Sequence, residues 1–153
     1  MHYVFIDSPI GRLKLVSDEE QLVAIEHEAE GENSISPPVV LLKCVQQLQQ
    51  YFAGQRTTFD IPLKMEGTAF QQQVWQALQA IPYGETRSYK DIAEMIGNPK
   101  AVRAVGNANN KNKFPLLIPC HRVIGANGSL VGYALGVEHK SYLLQLEQSN
   151  QKM

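Results

Sequence analysis

Cys120 and His121 stand side by side in the run Pro119-Cys120-His121-Arg122-Val123, directly after the apolar stretch Leu116-Leu117-Ile118. A thiol becomes a nucleophile as the thiolate, and free cysteine is only a few per cent ionised at neutral pH. An adjacent base such as His121, or a positive neighbour such as Arg122, raises that fraction. The chemistry on offer is therefore attack by sulfur on a carbon centre. The pair alone fits a structural cysteine as well as a reactive one, and the spacing predicts that it follows a short buried strand.

The other chemistry-bearing residues narrow the choice. The second cysteine, Cys44, lies in a predicted helix over 39–52, where Leu41, Val45, Leu48 and Phe52 recur at helical spacing, and reads as a small core residue. There is no CxxC pair, and His2, His27, His121 and His139 are scattered, so no metal-ligand set is expected. No signal-peptide pattern leads the chain and no apolar run has membrane-spanning length. A reducing cytoplasmic setting with both thiols free is the expectation.

The net charge of −1 hides a division. Residues 1–67 carry 5 Lys+Arg against 10 Asp+Glu, whereas 68–153 carry 9 against 5. Between Glu85 and Arg122 there are 7 basic residues against 3 acidic ones. A polyanion would prefer this half, although the same bias also describes a solvated face.

The elements that must hold these residues form two lobes, expected over 1–66 and 67–153. Tyr3–Ile6, Leu13–Val16 and Leu22–Glu26 read as an antiparallel meander, followed by the helix with Cys44 and a strand through Phe59, Ile61 and Leu63. In the second lobe Thr68-Ala69-Phe70-Gln71 is a capping box for a helix buried through Phe70, Val74, Leu78 and Ile81. Ser88 is placed to cap a short helix ended by Gly97, and Asn98-Pro99 to start another with Val102, Val105 and Ala108 inward. Two short helices across a glycine turn predict a helix-turn-helix. The second is built from small residues around one long side chain, Arg103, which suits close approach to a groove as well as tight helix packing.

Taken together the chain resembles the O6-alkylguanine–DNA alkyltransferases, the methylated-DNA–protein-cysteine methyltransferases. The resemblance is close from Gly67 to Glu147 and loose before it. It centres on Pro119-Cys120-His121-Arg122-Val123 and extends through Val74-Trp75, Ile81-Pro82-Tyr83-Gly84-Glu85, Tyr89, Ala101-Val102-Arg103-Ala104-Val105-Gly106, Asn112, Gly132-Tyr133 and Leu143-Leu144. It implies an α/β protein: an N-terminal antiparallel sheet with a helix, ribonuclease H-like, and a C-terminal helical domain of winged-helix type. It also implies irreversible, single-turnover transfer of an alkyl group, mainly methyl, from guanine O6 or thymine O4 to Cys120, without cofactor or metal. The partner implied is double-stranded DNA with alkylated bases, met by a monomer.

The resemblance also assigns roles. His121 would draw the thiol proton through a water, Glu147 would orient His121, and Asn112 would brace the site. Tyr89 would donate a proton to the departing base. The pocket would be walled by Tyr89, Pro115, Val123, Tyr133, Ala134 and Leu135. Arg103 would fill the stack behind a flipped base, with Ala104, Gly106, Asn107 and Arg122 also toward DNA.

Two other classes share parts of this pattern. An alkyltransferase-like binding module lacks the acceptor cysteine, which is present here. A cysteine hydrolase would leave the helix-turn-helix without a purpose. The chain departs from the family pattern at Tyr133-Ala134-Leu135-Gly136, where glycine usually stands at Leu135, and at Tyr142, where tryptophan is common.

Overall fold

Alternating β-formers near the N-terminus pair as their pattern demands. The structure, a computed structural model, describes residues 1–27, 30–130, 133 and 135–151. The chain divides into two compact units, Met1–Met65 and Glu66–Met153. In the first, β1 (His2–Ser8), β2 (Gly11–Ser17) and β3 (Leu22–His27) form an antiparallel meander in that order. The β2–β3 turn is held by the Asp18 carboxylate, which accepts from the Glu20 and Gln21 amides at 2.9 and 2.7 Å. Helix α1 (Val39–Phe52) packs on β1 and β2. Its buried stripe is Val40, Leu41, Cys44, Gln47, Leu48 and Tyr51, so the inner face is turned from the expected Val45 and Phe52.

The strand expected through Phe59, Ile61 and Leu63 does not form. Leu63 makes one isolated bridge to Leu22, with the Leu22 amide donating to the Pro62 carbonyl at 2.9 Å and the Lys64 amide to the Leu22 carbonyl at 2.8 Å. Pro62 has no amide hydrogen to continue a ladder.

The second unit begins with the capping box of α2 (Ala69–Gln79): the Gln71 amide donates to Thr68 Oγ1 and the Thr68 amide to Gln71 Oε1. A second capping box, Ser88 with Asp91, starts α3 (Tyr89–Met95). Gly97, at φ +77°, ends it in a Schellman arrangement, with Gly97 and Asn98 amides donating to the Glu94 and Ala93 carbonyls. The next helix, α4 (Val102–Asn110), starts later than the sequence pattern predicts. The Ala101 amide donates to the Asn98 carbonyl at 3.0 Å, closing a turn in which Pro99 occupies the second position. Pro99 thus precedes the helix, and Val102 faces outward while Val105, Ala108 and Asn109 are buried.

The segment before Cys120 is also not a strand. Residues 114–118 form a turn with Leu116 at φ +80°, and Cys120–Arg122 form one turn of 3-10 helix. Two short strands pair in parallel, β4 (Arg87–Ser88) just before α3 and β5 (Val123–Ile124) just after the 3-10 turn. The last helix, α5 (Val137–Asn150), packs against the 3-10 turn through a stripe of Lys140, Leu143, Leu144 and Glu147. Among the described residues no helix is long and apolar enough to cross a membrane.

Helix α4 is tied to α2 by a buried polar bond, Trp75 Nε1–H to the Ala108 carbonyl at 2.9 Å. Trp75→Phe keeps the ring packing and deletes that donor. The expected cost is about 1 kcal/mol of unfolding free energy, read from the urea midpoint at constant slope.

Candidate alkyl-acceptor site

The site is built on a sharply bent backbone. Pro119, at φ −79° and ψ 65°, is the centre of an inverse γ-turn in which the Cys120 amide donates to the Ile118 carbonyl at 2.7 Å. The same carbonyl accepts from Asn112 Nδ2 at 2.8 Å, and Asn112 Oδ1 accepts from the Phe114 amide at 2.9 Å. Asn112 therefore clamps both ends of the turn that carries Leu116 in the left-handed region. Such backbone costs on the order of 1 kcal/mol or more and is kept where surrounding contacts over-determine it. The turn delivers Cys120, His121 and Arg122 in three consecutive helical positions, all buried.

Glu147 organises the next two residues. Its Oε2 accepts from His121 Nε2 at 2.6 Å and from Arg122 Nη2 at 3.1 Å; its Oε1 accepts from Arg122 Nε at 2.8 Å and from the Gly84 amide at 3.1 Å. Gly84 sits at φ +82°, where a side chain would be strained and would collide with Gln151. Burial alone would raise the Glu147 pKa, but the His121 and Arg122 bonds overcome it and hold the carboxyl well below the usual range. Glu147 is thus ionised and can only accept. The proton of the contact must sit on His121 Nε2, which leaves the lone pair of the neutral ring on Nδ1. That atom is buried and meets no partner among the described residues. Burial, opposed by Glu147, lowers the His121 pKa overall, so the ring rests neutral with its base side unused.

The two cysteines differ in what opposes burial. Burial pushes the Cys44 thiol up to about 12 with no counteracting group. Burial also pushes Cys120 up, to about 11, but a bond from Asn112 and the charge of Lys140 act against it. Tyr89, at the start of α3, and Tyr133 are close enough to the sulfur to feel its charge; burial first, then that charge, raises both phenols. Both hydroxyls therefore keep their protons at neutral pH. The Tyr133 ring is buried, and its hydroxyl has no partner among the described residues.

The remaining expected residues divide. Pro115 and Val123 are buried beside the turn. Leu135 is half-buried, and its carbonyl meets His139 Nδ1 at 2.7 Å. Ala134 lies outside the described residues. Arg103, Ala104 and Asn107 are exposed on α4, while Gly106 faces inward, with the Tyr89 ring 3.9 Å from where a Cβ would stand.

Arg122 requires a correction. Expected toward DNA, it is only 6% exposed, with Nε and Nη2 on Glu147 and Nη1 on the Ile81 carbonyl at 2.8 Å. A guanidinium used on all three nitrogens inside the fold has no face left for phosphate. Sequence reasoning also passed over Lys140, fully buried on α5. Its signal was periodicity: it lies three, four and seven residues before Leu143, Leu144 and Glu147, on the inner stripe.

Residues 69–149 match the 6-O-methylguanine DNA methyltransferase DNA binding domain, and residues 1–65 match the ribonuclease-like domain of the same proteins. The chain belongs to the 6-O-methylguanine DNA methyltransferase family. The methylated-DNA–protein-cysteine methyltransferase of Methanosarcina acetivorans is 49% identical, over 97% of this chain and 99% of the relative. The constitutive enzyme of that name from Bacillus subtilis is 45% identical, over 99% and 98%. Among solved structures, Mycobacterium tuberculosis OGT in complex with DNA superposes with a TM-score of 0.88 at 48% identity, covering 98% of this chain and 94% of that one. The α/β architecture expected from the sequence is the family's, and with membership comes the activity class, a methyltransferase acting on lesions in DNA.

The ionic cluster makes stability pH-dependent. Glu147 titrates lower folded than unfolded, so its contribution is complete above the unfolded value of about 4.3 and is lost as pH falls through the folded value. His121, also lowered, acts in the same direction from about 6.5 downward, because the unfolded ring takes a proton that the folded one resists. Urea midpoints should fall steadily from pH 7 to pH 4. In Glu147→Gln the loss below about pH 5 should flatten, while stability at pH 7 drops by about 3 kcal/mol or more, because Arg122 stays buried without its counter-charge.

Proposed function

We propose that Cys120 is the acceptor in direct, single-turnover repair of O6-alkylguanine in double-stranded DNA, with His121 as its base. The observation that carries this reading is the ionised Glu147 on His121 Nε2, which fixes the tautomer and leaves Nδ1 as a buried, unused proton acceptor on the residue that follows Cys120. A thiol at about 11 is protonated at neutral pH, so its proton has to leave before or during attack. It passes to Nδ1, through a water in the reading from family resemblance. The thiolate then forms an S–C bond to the alkyl carbon as the C–O6 bond breaks. The electron pair goes to the guanine, and Tyr89, still protonated, supplies a proton at N3 so that the base departs neutral. The product is a thioether, which has no acyl carbon for water to attack, so the cysteine is not regenerated. Asn112 keeps the turn in its bent form throughout.

A buried sulfur can reach O6 only if the nucleotide leaves the stack. Arg103, exposed at the first turn of α4, would occupy the vacated position, and exposed Ala104 and Asn107 would let the helix lie close to the groove. With Arg122 withdrawn into the fold, the exposed basic residues of this region are Lys90, Lys100, Arg103, Lys111 and Lys113. They supply the attraction to phosphates. Free thiols at Cys44 and Cys120 suit a cytoplasmic setting.

Intact mass spectrometry after mixing with O6-methylguanine duplex should show one added methyl group per wild-type molecule. None should appear in Cys120→Ser, whereas Cys44→Ser should behave as wild type; uptake by the Cys120 variant would overturn the assignment. The flipping role has its own signature. Arg103→Ala should slow repair of duplex by about tenfold or more, the effect of ~1.4 kcal/mol on the barrier, yet leave reaction with free O6-benzylguanine within about twofold. Equal slowing on both substrates would remove the role.

A further inference from the structure

The turn at 81–84, which follows α2, meets the Glu147 cluster at three points. Arg122 Nη1 donates to the Ile81 carbonyl at 2.8 Å, Arg122 Cζ lies over the Tyr83 ring at 5.7 Å from its centroid, and the Gly84 amide donates to Glu147 Oε1 at 3.1 Å. The first and last are backbone contacts, which any sequence able to make this turn supplies. The middle one depends on a side chain. Pro82 is exposed and Tyr83 half-buried, whereas Arg122 and Glu147 are buried, so the turn is the outer layer over the ion pair on this side.

Hydrogen bonds hold Arg122 by its edges. Nε and Nη2 lie on the two oxygens of Glu147 and Nη1 on Ile81, and such bonds fix a planar fork in its plane while leaving its faces open. The face of a guanidinium is weakly hydrated, and an aromatic ring within about 6 Å attracts it through the negative charge of its own face. Tyr83 thus opposes the motion that the hydrogen bonds resist least, a swing out of plane toward water. That motion matters to the chemistry. The paired grip of Nε on Oε1 and Nη2 on Oε2 fixes the plane of the carboxylate, and that plane presents Oε2 to His121 Nε2 at 2.6 Å. A carboxylate free to turn, or shared with water, would hold the Nε2 hydrogen less firmly and let it spread to Nδ1.

We propose that Tyr83 is a positioning residue for alkyl transfer, its ring holding the Arg122 guanidinium in plane with Glu147 so that Glu147 keeps the hydrogen of His121 on Nε2. The role rests on His121 being the base for Cys120. Tyr83 acts through Arg122, then Glu147, then the imidazole, and so determines which ring nitrogen is free to take the thiol proton. The contact is made by the face of the ring, which phenylalanine shares and an aliphatic side chain lacks.

The test reads the imidazole directly. Heteronuclear NMR of the wild type should show His121 as the Nε2–H tautomer, with that proton far downfield and slow to exchange with water; hydrogen on Nδ1 instead overturns the proposal. Tyr83→Leu fills much of the same space without a ring. It should speed exchange of the Nε2 proton about tenfold, the size of a partly desolvated cation–π contact, and slow alkyl uptake from O6-methylguanine duplex by a similar factor. Tyr83→Phe should restore both. A folded leucine variant with the wild-type His121 signal overturns the role, since a merely structural tyrosine would change stability and leave the tautomer alone. Should the leucine variant not fold, phenylalanines of increasing fluorine content are incorporated at position 83. Fluorine withdraws charge from the ring face at nearly constant size, so exchange should quicken along the series, and a flat series overturns the role. The His121 signal needs neither DNA nor sulfur chemistry. Absence of alkyl uptake by the wild type would therefore count against Cys120 as acceptor and not against the hold of Tyr83 on Arg122.

Discussion

A single carboxylate, buried on the last helix, governs the arrangement of the second unit. Glu147 accepts four hydrogen bonds from three separated places: the Gly84 turn, the His121 ring and the Arg122 guanidinium. Burial favours a protonated carboxyl, and the bonds from His121 and then Arg122 oppose it; a protonated Glu147 could no longer dictate which nitrogen of His121 carries hydrogen. The guanidinium is thus part of how the histidine stays a base. Its Nη1 bond to the Ile81 carbonyl ties the same network to the end of α2, so the chemistry and the packing share their contacts.

The acceptor itself depends on backbone that ordinary secondary structure does not supply. On a strand, Cys120 and His121 would point to opposite faces. An inverse γ-turn at Pro119 followed by one turn of 3-10 helix places them, with Arg122, about 120° apart around a short axis. The thiol can then take its bond from Asn112 while the imidazole and guanidinium reach Glu147 on α5. Left-handed Leu116 is the local cost of this bend, and Asn112 is what maintains it by bonding at both ends. Cys44 shows the alternative: a thiol in regular helix among apolar neighbours, pushed up to about 12 with nothing to lower it.

Helix α4 and the surroundings of Cys120 meet at Tyr89. It is the first residue of α3, feels the charge of the Cys120 sulfur, and lies against Gly106 on α4. Small residues on α4 therefore serve two faces: Ala104 keeps the outer one low, and Gly106 admits the tyrosine ring. Arg103 is exposed in the first turn of a helix whose position is set by the Trp75 bond and by the Schellman turn at Gly97.

Much of this was legible in the residues. Helix α1 has the bounds its periodicity predicts, both capping boxes or their leading residues are local patterns, and the Pro119–Val123 run with its companions pointed to the family. Glu147, a carboxylate unfavourably placed in the last turn of a helix, reads by itself as a solvated residue, and its role comes only with the family resemblance. These features depend on near neighbours, and near neighbours are what a sequence displays. What the sequence left open depended on distant ones. A basic residue inside a basic half reads as surface until α5 is folded against the 3-10 turn, which is why the sequence pattern points Arg122 toward DNA and does not set Lys140 apart. The start of α4, the turn in place of a strand at 116–118, and the missing strand at 59–63 follow from bonds that particular prolines, amides and carbonyls could or could not make. Residue order determined the reagents and most of the helices; only the tertiary structure decided which charges are buried together, because the free energy of a buried charge is set by its partners in space and not by its place in the chain.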